Sequence, residues 1–423
     1  MLQVSYIRDN REQVLERLAV KNFKQPELID EIIKLDEQRR QTQNRLDGTS
    51  AEANAAAKRI GELMRTGQKE EAEQIKAQTG AWKEEIKQLS EQLSSFEQDL
   101  QQKIVLLPNL PHSSVPKGST PEENEVVLEN GEKPTLPTGA LPHWELAAKY
   151  NLIDFELGVK ITGAGFPVYK GKGAKLQRAL ISFFLDEAEK AGYSEVMLPL
   201  LVNEASGFGT GQLPDKEGQM YFVGQDNLYL IPTAEVPVTN LYRDVILKGE
   251  ELPVKNCGYT PCFRREAGSY GAHVRGLNRL HQFDKVEIVQ VVHPDHSYET
   301  IEQMSAHVQG LLQKLGLPYR VLRLCGGDMS FTAALTYDME TWSAAQQRWL
   351  EVSSVSNFET FQSNRLKLRF RNAEGKTQLA HTLNGSALAL PRIVATLLEN
   401  NQTENGIKIP EVLVPYTRFE WID

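Results

Sequence analysis

Residues 281–288 read His-Gln-Phe-Asp-Lys-Val-Glu-Ile, so polar and apolar side chains alternate along this stretch. Successive side chains of a β-strand point to opposite faces of a sheet, so this alternation predicts a strand over 282–292. The residues expected on one face are His281, Phe283, Lys285 and Glu287. The residues expected on the other face are Val286, Ile288 and Val292. One face of the predicted strand is therefore polar, and the other suits a hydrophobic core.

Further short β-like runs lie on both sides of this strand, with longer helical stretches between some of them. The other predicted strands are Leu228–Ile231, Arg320–Leu324 and Leu366–Arg371. The clearest predicted helices are Gly173–Ala191 and Ser297–Leu315. Strands that cluster in sequence, with few helices between them, favour an α+β domain in which helices pack on an antiparallel sheet.

A charged tetrapeptide, Phe263-Arg264-Arg265-Glu266, ends the strand expected before the loop Ala267–Leu280. Arg264 and Glu266 are expected to share a face of that strand. Across the loop, Phe283 and Glu287 are separated by roughly 13 Å, which suits a ligand with a flat base at one end and an ammonium at the other. Taken alone, the tetrapeptide fits a surface hairpin with solvated charges equally well.

Residues 28–107 carry mostly apolar or small residues at alternating spacings of four and three, with Arg39 as an exception and Lys103 skipped. The first series is Leu28, Ile32, Leu35, Arg39, Thr42, Leu46, Thr49, Ala53, Ala56, Ile60 and Leu63. The second series is Ala72, Ile75, Thr79, Trp82, Ile86, Leu89, Leu93, Phe96, Leu100 and Leu107. A mean spacing of 3.5 predicts two coiled-coil helices, which the break at Thr66-Gly67-Gln68 folds into an antiparallel hairpin with arms roughly 55 Å long.

The hairpin holds 12 Lys plus Arg and 15 Asp plus Glu, a net charge of −3. On this pattern alone, a dimerisation or spacer coiled coil is the simpler interpretation. Residues 107–124 contain four prolines in eighteen residues, which predicts a linker. The predicted domains are therefore residues 1–107 with the hairpin at about 28–107, a linker at 108–124, and a second domain at 125–423.

Composition narrows the possible classes of protein. The 423 residues carry a net charge of −9, which argues against non-specific coating of nucleic acid. No apolar run approaches the length of a membrane span, and the first residues lack a signal-peptide pattern, so a cytoplasmic location is expected. Cys257 and Cys262 can be read as half a zinc site, but no second ligand pair follows, and no zinc is expected. No phosphate loop of the G-x-x-x-x-G-K-[ST] type occurs.

Three segments resemble, in order, the three motifs of class II aminoacyl-tRNA synthetases. Gly192–Pro199 is similar to motif 1, a helix and strand that end at a proline. Phe263–Glu266, with its return at Phe283, is similar to motif 2. Leu383–Ala389 followed by Arg392 resembles motif 3, although Ala387 stands where glycine is common and Pro391 precedes the arginine.

Additional segments resemble the seryl-tRNA synthetases of bacterial type. Thr233-Ala234-Glu235 matches their T-x-E segment, residues 351–357 match E-x-S-S-x-S-N, and residues 381–386 match H-T-L-N-G-S. The resemblance implies ATP-dependent activation of L-serine, transfer to tRNA(Ser) and also to tRNA(Sec) where it is present, Mg²⁺ with ATP, and a homodimer. It also implies that the N-terminal domain binds tRNA through the hairpin.

The resemblance assigns roles residue by residue. The implied catalytic residues are Arg264, Glu266 and Arg392. The implied ATP-binding residues are Arg264, Arg265, Glu266, Phe283, Glu351, Val352, Ser353, Ser354 and Arg392. The implied serine-binding residues are Thr233, Ala234, Glu235, Glu287 and Ser386. The implied Mg²⁺ ligands are Glu351 and Ser354, and the candidate tRNA-binding residues are Arg39, Arg40 and Arg45.

Three alternatives stay open at this point. One is a related ligase that loads an amino acid onto a carrier protein, although such relatives are expected to lack the hairpin. Another is a neighbouring class II synthetase for threonine or proline, which the T-x-E and E-x-S-S segments oppose. The third is a coiled-coil scaffold with a degenerate catalytic body, which the presence of Arg264, Glu266 and Arg392 opposes.

Overall fold

The computed structural model describes residues 1–215, 218–266 and 274–423, and the chain divides into two compact units. The first unit contains Met1–Ala19 and Phe23–Pro108, and the second contains Val20–Asn22 and Asn109–Asp423. Of the predicted loop Ala267–Leu280, residues 267–273 lie outside the described residues.

The first unit is helical, and its two long helices pack against each other as a hairpin. Its helices are α1 (Val4–Asp9), α2 (Arg11–Val20), α3 (Glu27–Arg65) and α4 (Lys69–Ile104). The turn between α3 and α4 falls at the predicted break, where Gly67 has a φ of 80° that glycine tolerates best. Every predicted seam residue is buried or half-buried, so the predicted coiled-coil hairpin is confirmed.

The helices of the second unit are α5 (His143–Lys149), α6 (Phe155–Ile161), α7 (Gly171–Lys190), α8 (Glu204–Thr210), α9 (Glu235–Asn240), α10 (Ser297–Lys314), α11 (Thr360–Leu366), α12 (Leu390–Asn400) and α13 (Val414–Thr417). The strands are β1 (Glu125–Asn130), β2 (Ile153–Asp154), β3 (Val168–Tyr169), β4 (Ser194–Glu195), β5 (Leu201–Asn203), β6 (Phe222–Val223), β7 (Leu228–Leu230), β8 (Ile246–Lys248), β9 (Val254–Phe263), β10 (Gln282–Val292), β11 (Tyr319–Arg323), β12 (Leu335–Ser343), β13 (Arg348–Asn357), β14 (Arg369–Arg371), β15 (Thr377–Leu379), β16 (His381–Ala389), β17 (Gln402–Thr403), β18 (Gly406–Lys408) and β19 (Trp421–Ile422).

An eight-stranded sheet forms the centre of the second unit, in the order β1-β11-β12-β13-β16-β10-β9-β4. Its strand pairs are antiparallel, as predicted, except that β4 runs parallel to β9. The predicted α+β class is therefore confirmed. The sheet departs from the antiparallel arrangement at the edge where β4 pairs with β9.

The two faces of this sheet differ sharply in polarity. One face joins the main hydrophobic core, which contains Val286 and Ile288 of β10, Val355 of β13, and apolar residues of α7, α10 and α12. The alternate residues of β10 and β16, such as Glu287 and Ser386, face each other on the opposite side. Over Lys285–Ile288, the predicted alternation thus separates a stabilising face from a polar one, and Val289 and Val291 extend the second side into small apolar clusters.

Two local predictions need correction. Leu366 is the last residue of α11 rather than the start of a strand, and Lys367, at a φ of 54°, turns the chain before β14 begins at Arg369. Strand β9 ends at Phe263, so Arg264 and Glu266 lie beyond the strand instead of sharing one of its faces. Glu266 has a φ of 49°, a left-handed conformation that is unusual for a residue other than glycine.

From Asn109 onward, the proline-rich segment after the hairpin is part of the second unit and is anchored within it. Asn109 is buried, and its side-chain amide donates hydrogen bonds of 2.9 Å to the carbonyls of Thr332 and Phe358. The backbone amide of His112 donates to Ala334 O at 2.8 Å. The low helical and strand propensity of this stretch therefore gives an extended but anchored chain.

Within the described ranges, we find no helix that combines the length and the apolar character required to span a bilayer.

Candidate active site

Five side chains from two neighbouring strands and one loop form a largely buried hydrogen-bonded cluster on the polar face of the sheet. Lys285 Nζ lies 2.6 Å from Glu287 Oε2 and donates to Thr233 Oγ1 at 2.8 Å. Ser386 Oγ lies 3.4 Å from Glu287 Oε2, and Asn384 Nδ2 donates to Glu287 Oε1 at 2.7 Å. Glu287 has no exposed surface, so these neighbours supply the polar partners that its carboxylate needs.

A second buried carboxylate, Glu235, faces this cluster from the first position of α9. Burial, together with the negative charge of Glu287, raises the pKa of Glu235 to about 7, although the side-chain amide of Gln362 donates to Glu235 Oε1 at 2.6 Å. Lys285 and Arg264 also act on this carboxyl group and oppose the increase in its pKa. Two buried carboxylates with one lysine leave an excess of negative charge that an incoming ammonium group can neutralise.

Arg264 and Phe283 lie together at the end of the β9–β10 pair. The Arg264 guanidinium sits 5.2 Å from the centroid of the Phe283 ring, and its Nε donates to Pro232 O at 3.2 Å. Pro232 directly precedes the Thr233-Ala234-Glu235 segment. The carbonyl of Pro232 therefore orients the arginine, and the short stretch from Pro232 to Glu235 connects the guanidinium to the carboxylate cluster.

Glu266 forms an ion pair with Arg279, which lies near the end of the predicted loop Ala267–Leu280. Its side chain is 13% exposed, whereas that of Arg279 is 44% exposed. A residue other than glycine in the left-handed region costs roughly 1–2 kcal/mol, so the surrounding structure must hold it there. This strained position at the end of β9 is the kind of site at which a functional side chain is retained.

Arg392 lies in the first turn of α12, where Pro391 occupies a position that favours proline. Its Nη1 donates to the backbone carbonyl of Glu351 at 2.7 Å and lies 3.6 Å from Glu351 Oε2. Its Nε donates to Asn278 O at 3.0 Å. Three acceptors from two separate segments therefore fix the direction of this guanidinium.

A β-bulge brings Glu351 and Ser354 to the same face of β13. Residues three apart on a regular strand point to opposite faces. Here Ser354 pairs with Asp338 and Glu351 pairs with Glu340, while Val352 has no counterpart on β12. Because Asp338 and Glu340 are two residues apart, the inserted residue restores a common face for Glu351 and Ser354.

Asp338 completes an oxygen-rich group with these two side chains. The Ser354 hydroxyl donates to Asp338 Oδ1. Burial and the neighbouring charge of Glu351 hold the pKa of Asp338 well above its ordinary value. Carboxylate and hydroxyl oxygens are ligands that suit Mg²⁺. Within the described part of the chain, no group of three or more His, Cys, Asp or Glu side chains is arranged to hold a metal without help from a substrate.

Three of the residues assigned to ATP and one assigned to serine have side chains engaged elsewhere. Val352 belongs to the main core, and Ser353 Oγ donates to Ser386 O at 2.5 Å. Arg265 is exposed, and its guanidinium lies 5.4 Å from the Tyr221 ring. Ala234 is buried in a small apolar cluster. Any contact between Ala234, Val352 or Ser353 and a ligand would therefore use the backbone.

Four residues that the geometry brings into the site have no role implied by the sequence motifs. Lys285 and Asn384 alternate with predicted site residues on β10 and β16, so strand periodicity alone could have identified them. Gln362 comes from α11 and Asp338 from β12, and both reach the site only through pairing distant in sequence. No local pattern marks these two residues.

The three candidate tRNA-binding arginines lie in the first unit and differ in their surroundings. Arg39 Nη2 lies 2.8 Å from Asp36, which is 1% exposed and also pairs with Arg8 at 2.7 Å. Arg45 pairs with Glu85 across the hairpin at 2.6 Å. Arg40 is exposed. Arg39 therefore compensates a buried charge inside the unit, whereas Arg40 is directed to solvent.

In chemical terms, the second unit presents an anionic pocket with hydroxyl groups near Arg264, and a second arginine, Arg392, lies beside Glu351. The pocket can bind an ammonium and a hydroxyl, and Arg264 and Arg392 can bind phosphate oxygens. Two family profiles match the chain, one largely within the first unit and the other within the second unit. The tRNA synthetase class II core domain (G, H, P, S and T) matches residues 221–401, and the seryl-tRNA synthetase N-terminal domain matches residues 1–111. Fold and site together define a class II aminoacyl-tRNA synthetase.

Individual proteins that are similar to this chain identify its family within the class II synthetases. The serine–tRNA ligase of Salinibacter ruber is 52% identical over 99% of this chain and 98% of its own length. The seryl-tRNA synthetase of Pyrococcus horikoshii, solved in complex with ATP, is 32% identical with a TM-score of 0.94, over 100% of this chain and 99% of the other. The cytoplasmic serine–tRNA ligase of Naegleria fowleri, solved with AMP, is 26% identical with a TM-score of 0.89, over 100% and 99%. The chain belongs to the seryl-tRNA synthetase family.

Proposed function

We propose that this chain activates L-serine with ATP and transfers the seryl group to the 3′ end of tRNA(Ser). The observation that carries the proposal is the buried group of Thr233, Glu235, Lys285, Glu287 and Ser386, which adjoins Arg264. Family membership makes this the first activity to test. Transfer to tRNA(Sec) remains a prediction from the resemblance.

Serine is held in this proposal by its ammonium and its hydroxyl. The ammonium carries a positive charge into a pocket with two buried carboxylates, Glu235 and Glu287. The hydroxyl of serine lies within hydrogen-bonding reach of Ser386 and Glu287. A pocket that hydrogen-bonds a hydroxyl rejects alanine strongly, because buried polar groups would be left without partners.

In the first step, a carboxylate oxygen of serine attacks the α-phosphorus of ATP. The new bond forms seryl-adenylate, and the bond to the bridging oxygen breaks to release pyrophosphate. Negative charge builds up on the α-phosphate oxygens in the transition state, and a guanidinium fixed by Pro232 O stabilises that charge. Phe283 stacks on adenine, Glu266 anchors the nucleotide, and Arg392 contacts adenine or the phosphates.

In the second step, a hydroxyl of the terminal ribose of tRNA attacks the carbonyl carbon of seryl-adenylate. The ester forms and AMP leaves with the electron pair of the broken acyl–phosphate bond. The buried pocket keeps water away from the activated carbonyl, since Thr233, Glu235, Glu287 and Ser386 are all less than one tenth exposed.

Mg²⁺ is expected with ATP, and the oxygen donors of Glu351, Ser354 and Asp338 fit this ion. Bound at these oxygens, Mg²⁺ would supply positive charge that offsets part of the negative charge of the phosphates. Glu351 is the most accessible of the three, with a side chain that is 50% exposed. Its carboxylate and Arg392 lie side by side, so the same segment can hold a cation and orient a phosphate-binding arginine.

The hairpin α3–α4 is proposed to bind tRNA, with Arg40 among the contacting residues. Exposed basic side chains on a rigid arm can neutralise phosphates even when the net charge of the arm is negative. The proposed domain boundaries remain 1–107, 108–124 and 125–423. A homodimer through the motif 1 region and a cytoplasmic location also remain predictions.

Pyrophosphate exchange tests the central proposal. With Mg²⁺ and ATP, the purified protein should incorporate labelled pyrophosphate into ATP when serine is added, and alanine should support far less exchange. Threonine is the matched competitor, because it keeps the hydroxyl and adds one methyl group. Exchange driven by threonine at or above the rate with serine would refute the assignment.

A further inference from the structure

A buried polar network lies behind the candidate ATP site, apart from the residues that the sequence motifs mark. It contains His143, Ser343, Gln346 and Glu399, and it ends on the backbone of Leu277 and Asn278. His143, Ser343 and Glu399 have no exposed surface. Buried polar groups of this kind are costly unless each finds a partner, so the network must serve to fix the elements it joins.

The tautomer of His143 follows from the hydrogen bonds at its two ring nitrogens. The backbone amide of Leu277 donates to His143 Nε2 at 2.9 Å, so Nε2 acts as the acceptor. Nδ1 then carries a proton and donates to Glu399 Oε1 at 2.7 Å, while Gln346 Nε2 lies farther from it at 3.4 Å. The backbone at Gly276 passes so close that a Cβ there would lie 2.3 Å from His143 Nε2.

The carboxylate of Glu399 accepts hydrogen bonds from three residues. It accepts from the backbone amide of His143 at 2.9 Å, from Gln346 Nε2 at 3.0 Å and from the hydroxyl of Ser343. Burial opposes ionisation, but the hydrogen bonds from His143 and Ser343 hold the pKa of Glu399 below its ordinary value. The serine donates to the carboxylate and not to the imidazole, and all three residues are buried, so this is not a hydrolytic triad.

The network reaches the ATP site through one backbone segment. Asn278 Nδ2 donates to Gln346 Oε1 at 2.9 Å, and Asn278 O accepts from Arg392 Nε at 3.0 Å. Arg392 and Glu399 are seven residues apart on α12, which places them on one side of the helix, roughly 10 Å apart along its axis. Helix α12 thus holds Leu277–Asn278 at two points, once through His143 and once through Arg392.

We propose that His143 is a positioning residue for ATP, since it fixes Leu277–Asn278 so that Asn278 O orients the Arg392 guanidinium. This inference rests on the proposed function. It deepens that function by identifying a residue that contacts neither substrate. The proposed serine-binding residues, called the serine cluster below, are Thr233, Glu235, Lys285, Glu287, Asn384 and Ser386. Among the described residues, this cluster shares no hydrogen bond with the network, so the effect should be specific for ATP.

Two substitutions separate the donor and the acceptor of the imidazole. His143→Asn retains a donor at the position of Nδ1 but loses the acceptor for Leu277 N–H. His143→Gln places an acceptor oxygen at the position of Nε2 and loses the donor to Glu399, which keeps its other partners. If His143 acts through Leu277, only the asparagine variant should impair the use of ATP.

The test measures KM for ATP and for serine, and kcat, in serine-dependent pyrophosphate exchange. His143→Asn should raise KM for ATP by roughly 5- to 10-fold, the effect of losing one buried hydrogen bond, and change KM for serine by less than about 2-fold. His143→Gln should restore KM for ATP to within about 2-fold of the wild type. An unchanged KM for ATP in His143→Asn, equal changes in both KM values, or no rescue by glutamine would each overturn the proposal.

Two further variants guard against a purely structural effect. Gln290→Leu removes another buried hydrogen bond, from Gln290 Nε2 to Tyr193 OH at 2.7 Å, and should lower the melting temperature without changing KM for ATP. On an Arg392→Ala background, His143→Asn should no longer weaken equilibrium binding of ATP, because the residue through which it acts is gone. A full effect on that background would overturn the proposal.

If His143→Asn does not fold, Gln346→Ala weakens the same support from a partly exposed position and should also raise KM for ATP. An unchanged KM for ATP in this variant would count against the proposal. Failure of the proposed function would appear differently, as a wild-type protein without serine-dependent exchange.

Discussion

Substitution of Glu235 by glutamine should make serine binding independent of pH between pH 6 and pH 8. The pKa of Glu235 is raised to about 7, chiefly by burial and next by the charge of Glu287. A protonated carboxyl cannot attract the ammonium group of serine as an ionised one does. Glutamine keeps the size and the hydrogen-bonding character of the side chain, but it cannot ionise.

The size of the effect follows from the fraction of ionised Glu235. With a pKa near 7, about one tenth of the pockets are ionised at pH 6 and about nine tenths at pH 8. If serine binds only the ionised form, its KM should be roughly tenfold higher at pH 6 than at pH 8. The variant should show a weak, flat affinity across the same range.

The assay is serine-dependent pyrophosphate exchange at saturating ATP and Mg²⁺, measured for both proteins at each pH. Comparison with Glu235→Gln removes the contribution of ATP and pyrophosphate, whose own titration is common to the two proteins. A second control is Glu359→Gln. Burial raises the pKa of Glu359 as well, but this carboxyl accepts from Tyr298 OH and makes no hydrogen bond to the serine cluster among the described residues. Its substitution should leave the pH dependence of KM for serine intact.

The same shift predicts an opposite effect on stability. A raised pKa in the folded state stabilises the protein at low pH, and this contribution is lost as pH rises from about 4.5 to about 7. Relative to Glu235→Gln, the unliganded wild type should therefore lose on the order of 3 kcal/mol in free energy of unfolding over that range. A flat KM for serine in the wild type, together with an unchanged stability difference, would refute the reasoning.

Three further outcomes are expected. Arg264→Ala should lower the exchange rate by roughly 10²-fold, and Arg264→Lys should restore only part of it, since an ammonium cannot reproduce the planar fork of a guanidinium; near-normal exchange in the alanine variant contradicts this role. Glu351→Gln should raise the Mg²⁺ concentration for half-maximal exchange by at least roughly tenfold, whereas Glu340→Gln, the same change of charge next to Arg320, should not. Removal of residues 45–65 and 69–89 takes three heptads from each hairpin helix and keeps the native turn and the seam register. This shortened protein should preserve pyrophosphate exchange but lose most tRNA charging. Loss of exchange would instead show that the arm is required for the structure of the catalytic unit.

The sequence predicts the hairpin and the central strand well because both depend on a local period. The 3.5-residue spacing requires only that two helices meet along one seam, and the alternation in β10 requires only one buried and one polar face. Even polar seam positions such as Arg39 and Thr49 follow the pattern. At Arg39 the reason is specific, because its guanidinium compensates the buried charge of Asp36.

Other parts of the candidate site depend on pairing that no local pattern encodes. Spacing alone places Glu351 and Ser354 on opposite faces of a strand, and only the bulge at Val352 brings them together. Gln362 reaches Glu235 because α11 packs beside β16, where Thr382 Oγ1 donates to Gln362 Oε1 at 2.7 Å. Such contacts are set by the register of strands and helices distant in sequence, so they become visible only in three dimensions.

The two faces of one sheet also explain why the serine pocket can hold charges that weaken the fold. Glu235 and Glu287 are buried beside each other with one lysine, an arrangement that disfavours the folded state unless a cation arrives. The opposite face compensates, because Val286 and Ile288, on the same strand, join an apolar core with α7, α10 and α12. Over Lys285–Ile288, the apolar side chains that stabilise the protein thus alternate with polar side chains that can contact the ligand. Serine binding should for this reason raise the melting temperature more at pH 8, where Glu235 is mostly ionised, than at pH 6, and Glu235→Gln should remove that difference.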